Sequence, residues 1–66
     1  MSDFVDRMIT EYTELETKTT KLNEFIYNKK YLELNEENRA LLNAQYNAMM
    51  AYQFILKRRI KINGGN

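Results

Sequence analysis

The sequence predicts an all-α fold, in which a long helical hairpin with a short helical turn between its helices assembles into a homo-oligomer. Apolar residues recur every seven positions in both halves of the chain, which is typical of helices that pack lengthwise. We call a set of residues spaced by seven, which lies along one side of a helix, a file. The first half contains the file Met8, Leu15 and Leu22, and the second half contains the file Leu41, Ala48, Ile55 and Ile62. The chain has no proline and its two glycines are at the C-terminus, so few breaks are expected. Because 66 residues without cysteine build only a small core and no disulfide, partner subunits are the expected source of stability.

The first helix is predicted at about residues 3–27. Ser2 or Asp3 can cap it, and Asp3 and Asp6 place carboxylates at its positive end. A second file lies beside the first and is more polar. It consists of Val5, Tyr12, Thr19 and Ile26. We expect this stripe to lie along the second long helix as one arm of an antiparallel hairpin.

A short turn is predicted at about residues 29–33, where Tyr31, Leu32 and Leu34 tuck under the hairpin. Asn35 is then a suitable N-cap for a long helix at about 36–62.

Two further files lie beside Leu41, Ala48, Ile55 and Ile62 on the expected packing face of this helix: Leu42, Met49 and Leu56, and Gln45, Tyr52 and Arg59. Gly64 and Gly65 should end the helix, leaving a disordered tail at 63–66. The whole chain, 1–66, is expected to be a single helical domain.

Composition argues against an enzyme. The chain has no cysteine and no histidine, which excludes thiolate and imidazole metal sites and Cys or His catalysis. Its paired carboxylates, such as Glu11 with Glu14, stand in hydrophilic surroundings that favour a solvated surface. We therefore expect no catalytic residue, no metal and no cofactor. No run approaches the roughly 20 apolar residues of a membrane span, and no signal peptide is seen, so a cytosolic protein without membrane contact is expected.

Charge is unevenly distributed. All nine acidic residues and five of the ten basic residues precede Asn38, giving a formal charge of −4 there and +5 in the remainder. Such a division favours either an anionic partner for the second half or acid–base pairing between halves or subunits.

Two groups of residues are candidates for ligand binding. Tyr12 lies on a threonine-rich stripe beside Thr13, so its ring can stack on a nucleobase, with Lys29 and Lys30 reaching phosphates. Alternatively, Tyr12 is an aromatic residue of the core, and Lys29 and Lys30 belong to an exposed turn. Arg59 belongs to the basic end, Lys57 to Lys61, which suits either a phosphate clamp or a solvated helix terminus.

These residues also carry a family resemblance. The segments EYTELETKTTKLNEFI (11–26) and LLNAQYNAMMAYQFILKRRI (41–60), with Leu34 between them, resemble small phage proteins that sequester cyclic oligonucleotides. The shared positions are Glu11, Tyr12, Leu15, Leu22, Phe25, Ile26, Leu41, Leu42, Gln45, Met49, Tyr52, Ile55, Leu56, Arg59 and Ile60.

The resemblance implies a helical homohexamer that acts as a sponge in the cytoplasm of the infected bacterium and blocks CBASS anti-phage signalling. Its ligands would be cyclic dinucleotides such as 3′,3′-cyclic GMP–AMP and, at separate sites, cyclic trinucleotides, none of which it cleaves. Tyr12 resembles the family's base-stacking residue. A phosphate-holding lysine should follow Phe25 and Ile26, and since the next residue is a tyrosine, Lys29 or Lys30 must serve. Arg59 resembles a late arginine that faces a second, threefold pocket.

Two other functions remain open. A hairpin of this kind can be a protein–protein interaction module with no nucleotide ligand. The second is binding of DNA or RNA polymers through the basic end. It is ranked last and is not expected, because the acidic first half would repel a phosphate backbone.

Overall fold

A computed structural model describes residues 3–65. Its helices are α1 (Asp3–Ile26), α2 (Lys29–Leu32) and α3 (Glu36–Ile62). The chain reverses between α1 and α3, which pack along their length, and the described residues include no strand. The molecule measures 47 × 14 × 14 Å, the size of one pair of antiparallel helices. The predicted all-α helical hairpin is therefore confirmed, and its assembly into an oligomer remains a prediction.

The threonines of α1 are compatible with packing because their hydroxyls bond to the helix itself. The Oγ1 groups of Thr13, Thr17 and Thr19 donate to the carbonyls four residues earlier, at 2.9, 3.1 and 2.7 Å. Thr19 is buried and still satisfied, so a polar position is tolerated in the face that meets α3. Asp3 and Asp6 lie in the first turn, where negative charge suits the helix dipole; Ser2 lies outside the described residues.

Asparagine side chains begin both later helices. Asn28 Oδ1 accepts from Lys30 N at 2.8 Å and caps α2. Asn35 Oδ1 accepts from Asn38 N at 2.8 Å, which confirms Asn35 as the N-cap of α3. Each bond satisfies a backbone N–H that has no partner within its helix.

Tyr31 fixes the bend between the helices. Its ring is 8% exposed and meets Phe25 edge-on, with ring centroids 6.1 Å apart. Its hydroxyl donates to Arg39 O and accepts from Asn43 Nδ2, both at 2.8 Å. The expectation that the leucines of this turn tuck under the hairpin is wrong for Leu32, which is exposed, because the single turn of α2 directs only one of its faces inward.

Only one of the expected apolar files of α3 packs against α1. Leu56 is fully buried, and Leu42 and Met49 are partly buried. The neighbouring file of Leu41, Ala48, Ile55 and Ile62 was expected on the same packing face, but it is exposed throughout. Adjacent files lie about 100° apart around a helix, so a single partner helix covers only one of them.

The buried set is correspondingly small. Among the described residues, those under 9% exposed are Met8, Leu15, Thr19, Tyr31 and Leu56. A hairpin with so few buried side chains gains little from its own core, and this supports the expectation of partner subunits.

The C-terminal end of α3 is capped. Gly64 has φ +95° and donates to Lys61 O, while Gly65 donates to Ile60 O at 2.9 Å. This pair of bonds is the Schellman arrangement, in which the left-handed position favours glycine. We expected a disordered tail at 63–66, but residues 63–65 form this cap; Asn66 lies outside the described residues. Within residues 3–65, no helix combines the length and apolarity needed to cross a bilayer.

Candidate functional site

A groove near the open end of the hairpin brings Tyr12 and Lys57 together. Ile9 and Tyr12 of α1 line one wall, Lys57 and Ile60 of α3 line the other, and the volume is about 280 Å³. Antiparallel packing creates this pairing, because residues early in α1 lie level with residues late in α3. Tyr12 is partly buried and Lys57 is exposed. Both side chains are therefore accessible to solvent.

The chemistry of this groove suits a flat, anionic molecule. Isoleucine side chains and a phenol ring provide apolar surface for a base, and an ammonium beside them can meet a phosphate oxygen. Among residues 3–65, no cluster of acidic side chains is placed to hold a metal ion. The apolar walls and the ammonium of the groove suit binding through stacking and charge.

A second depression adjoins the groove along the same side of the hairpin. It has a volume of about 190 Å³ and includes Glu16, Thr20, Tyr46, Met50 and Gln53 in its lining. Gln53 precedes Lys57 by four residues, so the two side chains are neighbours on one face of α3. The Gln53 Oε1 atom is buried and has no hydrogen-bond partner. A buried acceptor of this kind is costly to leave unpaired.

Thr13 lies next to Tyr12 but is exposed, and its hydroxyl is used locally. The Oγ1 atom donates to Ile9 O at 2.9 Å. Its lone pairs remain available as acceptors. Thr13 therefore lies near the groove without lining it.

Lys29 and Lys30 do not meet Tyr12 within one chain. Both are exposed residues of α2 at the bend. The rise of α1 from Tyr12 to Ile26 alone is about 21 Å, far beyond the reach of a lysine side chain. These two lysines can complete a site with Tyr12 only if another copy of the chain supplies them.

Arg59 lies on a different face from the groove. It is two residues from Lys57, which is about 200° around α3. Its guanidinium carbon is 6.0 Å from the centroid of the Phe4 ring, a cation–π contact. Arg59 is exposed, so it was not placed on a buried face as its file suggested.

The sequence motifs did not single out Lys57, which lines the groove, or Gln53, which lines the second depression. Lys57 appeared only as part of a basic helix terminus, and Gln53 belongs to none of the three expected files of α3. The available signal was the hairpin geometry: positions at equal distances from the bend lie side by side, which places Tyr12 against residues in the fifties.

The size of the groove bears on how a ligand is held. Pockets for drug-sized molecules usually have volumes of about 300–1,000 Å³, and this groove has about 280 Å³. The groove of one chain is thus slightly smaller than a usual small-molecule pocket.

Comparison with known families identifies one match. A family model described as Sequestin matches residues 2–62, nearly the whole chain. Comparisons with curated proteins and with solved structures give no match.

Proposed function

Because the chain belongs to the Sequestin family, whose name denotes sequestration, we propose that it binds and sequesters cyclic oligonucleotide second messengers without cleaving them. By this activity it acts as a phage immune-evasion protein in the cytoplasm of an infected bacterium and blocks CBASS signalling. The expected ligands are cyclic dinucleotides such as 3′,3′-cyclic GMP–AMP, with cyclic trinucleotides as a second class. The observation that carries this proposal is the shared groove of Tyr12 and Lys57.

Symmetry supports a cyclic dinucleotide as ligand. Such a molecule has two bases and two phosphates related by a near-twofold axis. A twofold pair of subunits presents two copies of Tyr12 and Lys57, so each half of the ligand meets the same surface. In this arrangement the phenol ring stacks on a base, and the ammonium neutralises the adjoining phosphate.

Lys29 and Lys30 enter this proposal as contributions from another subunit. Their separation from Tyr12 within one chain rules out a joint site there, but oligomeric contacts can bring a bend close to a groove. Mixing two inactive variants tests this assignment. If Tyr12→Ala subunits and Lys29→Gln/Lys30→Gln subunits exchange and regain binding sites, each site takes residues from two chains. If the mixture stays inactive, the bend lysines have no part in the Tyr12 site of a neighbour.

Arg59 is assigned to a separate site. Its position over Phe4, on another face of α3 from Lys57, suits a pocket where several copies of the hairpin meet. Arginines gathered around a threefold axis would match the three phosphates of a cyclic trinucleotide. Arg59→Gln should then weaken cyclic trinucleotide binding and leave cyclic dinucleotide binding unchanged.

Calorimetry tests the main proposal. The protein should release or absorb heat on addition of 3′,3′-cyclic GMP–AMP, and the ligand should be recovered intact after the protein is denatured. A lack of binding to a panel of cyclic di- and trinucleotides at micromolar concentration would refute it. Recovery of a cleaved product would show an enzyme instead.

A protein–protein interaction module is the second candidate function. The exposed apolar file of α3, in which Leu41, Ile55 and Ile62 are 61%, 52% and 70% exposed, favours it. Under this alternative Tyr12→Ala changes assembly or stability, and no nucleotide binds to the wild-type protein.

A further inference from the structure

We propose that two copies of the chain pair through α3 in antiparallel orientation, along a surface that we call the α3 seam. The α3 seam consists of Leu41, Ala44, Ala48, Ala51, Ile55 and Ile62. Every one of these side chains is exposed in the single hairpin. Their spacing alternates between three and four residues until Ile55, and Ile62 follows seven later, which is the repeat of helices that pack side by side.

The seam and the ligand groove lie on different faces of the hairpin. Seam residues Ile55 and Ile62 belong to the flank of Arg59, whereas the groove lies on the flank of Lys57. Pairing through the seam therefore leaves Tyr12 and Lys57 open to solvent. The centre of the seam has three alanines, which allow two helix backbones to approach closely, and larger aliphatic side chains lie on either side of them.

Charge determines the orientation. The first turn of α3 carries Glu36 and Glu37, and its last turns carry Lys57, Arg58, Arg59 and Lys61. A parallel pair would place the basic end of one helix beside the basic end of the other. An antiparallel pair places the partner's Glu36 and Glu37 beside the basic end, so opposite charges meet at both ends. The antiparallel arrangement also sets each negative helix end beside a positive one.

Antiparallel pairing also places opposite ends of the two hairpins side by side. The bend of one copy comes level with the open end of the other, and that open end holds Tyr12. The partner's Lys29 and Lys30 are then brought to the end of the pair that carries the groove. This consequence depends on the proposed function, whereas the pairing itself does not.

Cysteine cross-linking tests the surface without any nucleotide. The chain contains no cysteine, so each introduced thiol is unique. Ala48→Cys places a thiol at the centre of the seam, and a short bismaleimide should link most of it into covalent dimers. Met50→Cys is the matched control, because Met50 is also exposed near the middle of α3 but on the groove flank. Cross-linking of Met50→Cys as efficient as that of Ala48→Cys would overturn the assignment of this face.

Two further single variants test orientation. Leu41 lies seven residues from Ala48, so two copies of Leu41 are about 21 Å apart in an antiparallel pair and adjacent in a parallel one. Leu41→Cys alone should give no covalent dimer, while its mixture with Ile55→Cys should. Dimers of Leu41→Cys alone would establish a parallel pair, and failure of both Ala48→Cys and the mixture would exclude the seam. Circular dichroism should show unchanged helix content, since these side chains are exposed in the single hairpin.

The outcome of the cross-linking experiment is independent of whether the protein binds nucleotides. If cross-linking succeeds and no cyclic nucleotide binds, the pairing holds and the function fails. If nucleotides bind and no seam variant cross-links, the function holds and subunits assemble through another face.

Discussion

Tyr31 and Asn43 are joined across the bend by a 2.8 Å hydrogen bond from the asparagine amide to the phenol oxygen. The same phenol donates to Arg39 O, so one buried side chain joins α2 to two successive turns of α3. The Tyr31 hydroxyl thus both donates and accepts a hydrogen bond between α2 and α3.

Removing the Tyr31 hydroxyl should destabilise the hairpin. Tyr31→Phe keeps the ring against Phe25 but leaves the Asn43 amide without its partner, and we expect a loss of about 1–2 kcal/mol in the free energy of unfolding. Urea denaturation at fixed protein concentration measures it, because assembly makes stability concentration-dependent. Tyr27→Phe is the matched control: Tyr27 is 83% exposed and should change stability by less than about 0.5 kcal/mol. Equal effects of the two variants would contradict the role of the Tyr31 hydroxyl.

The Tyr12 ring should determine nucleotide affinity. Stacking on a base is worth about 1–3 kcal/mol, so Tyr12→Ala should weaken 3′,3′-cyclic GMP–AMP binding by about fivefold to more than 100-fold for each base that the ring stacks on. Tyr12→Phe retains the stacking surface and should bind within a few-fold of wild type. Calorimetry on both variants, with solution mass checked in parallel, separates lost stacking from lost assembly. A binding loss in Tyr12→Phe equal to that in Tyr12→Ala would show that the hydroxyl, and not the ring, is what the ligand needs.

Lys57 should contribute charge to the same site. Lys57→Gln removes one ammonium from the groove, so cyclic dinucleotide affinity should fall and depend less on salt concentration. Lys18→Gln is the control, because Lys18 is an exposed residue of α1 outside both depressions. A uniform loss in both variants would indicate a general effect of net charge.

Gln53 offers a test that separates stability from binding. Its Oε1 atom is buried without a partner, so Gln53→Met should leave the free protein as stable or make it more stable. The same change should leave 3′,3′-cyclic GMP–AMP affinity within a few-fold of wild type, because the buried oxygen is out of a ligand's reach. Thermal unfolding with and without ligand measures both effects. Strong destabilisation of the free protein would mean that the amide is satisfied in solution.

The C-terminal cap should depend on Gly64. Its φ of +95° is in the left-handed region, where a side chain is strained, so Gly64→Ala should lower stability by about 1 kcal/mol. Gly64→Asn should cost less, since asparagine tolerates this region better. The midpoint of thermal unfolding distinguishes them. Identical midpoints for wild type and Gly64→Ala would show that the cap adds nothing to stability.

Sequence patterns predicted the helices more fully than the site. Seven-residue spacing, the Asn35 cap and the absence of proline indicate two long helices, and each of these signals is local. Local sequence does not show which file of α3 packs against α1. Leu41 and Leu42 are both leucines, and only the position of α1 decides which of them is buried. The motif resemblance identified the family correctly.

The composition of the groove required three-dimensional information. Tyr12 was recognisable from its threonine-rich surroundings, but its neighbour Lys57 follows it by 45 positions. Lys29 and Lys30 are nearer in sequence and lie at the other end of the molecule. Separation along the chain is a poor guide in a hairpin, where proximity follows from distance to the bend.

Gly65 packs close to Val5, such that a Cβ atom added to Gly65 would lie 3.0 Å from the valine Cγ1. Both ends of the described chain thus lie together at the open end of the hairpin, beyond the groove residues Ile9 and Ile60. An affinity tag or fluorescent fusion joined beyond these ends starts near the groove, so we expect it to reduce ligand access. Reporters for binding studies belong on the middle of α1 instead, at an exposed side chain such as Lys18, which lies outside both depressions.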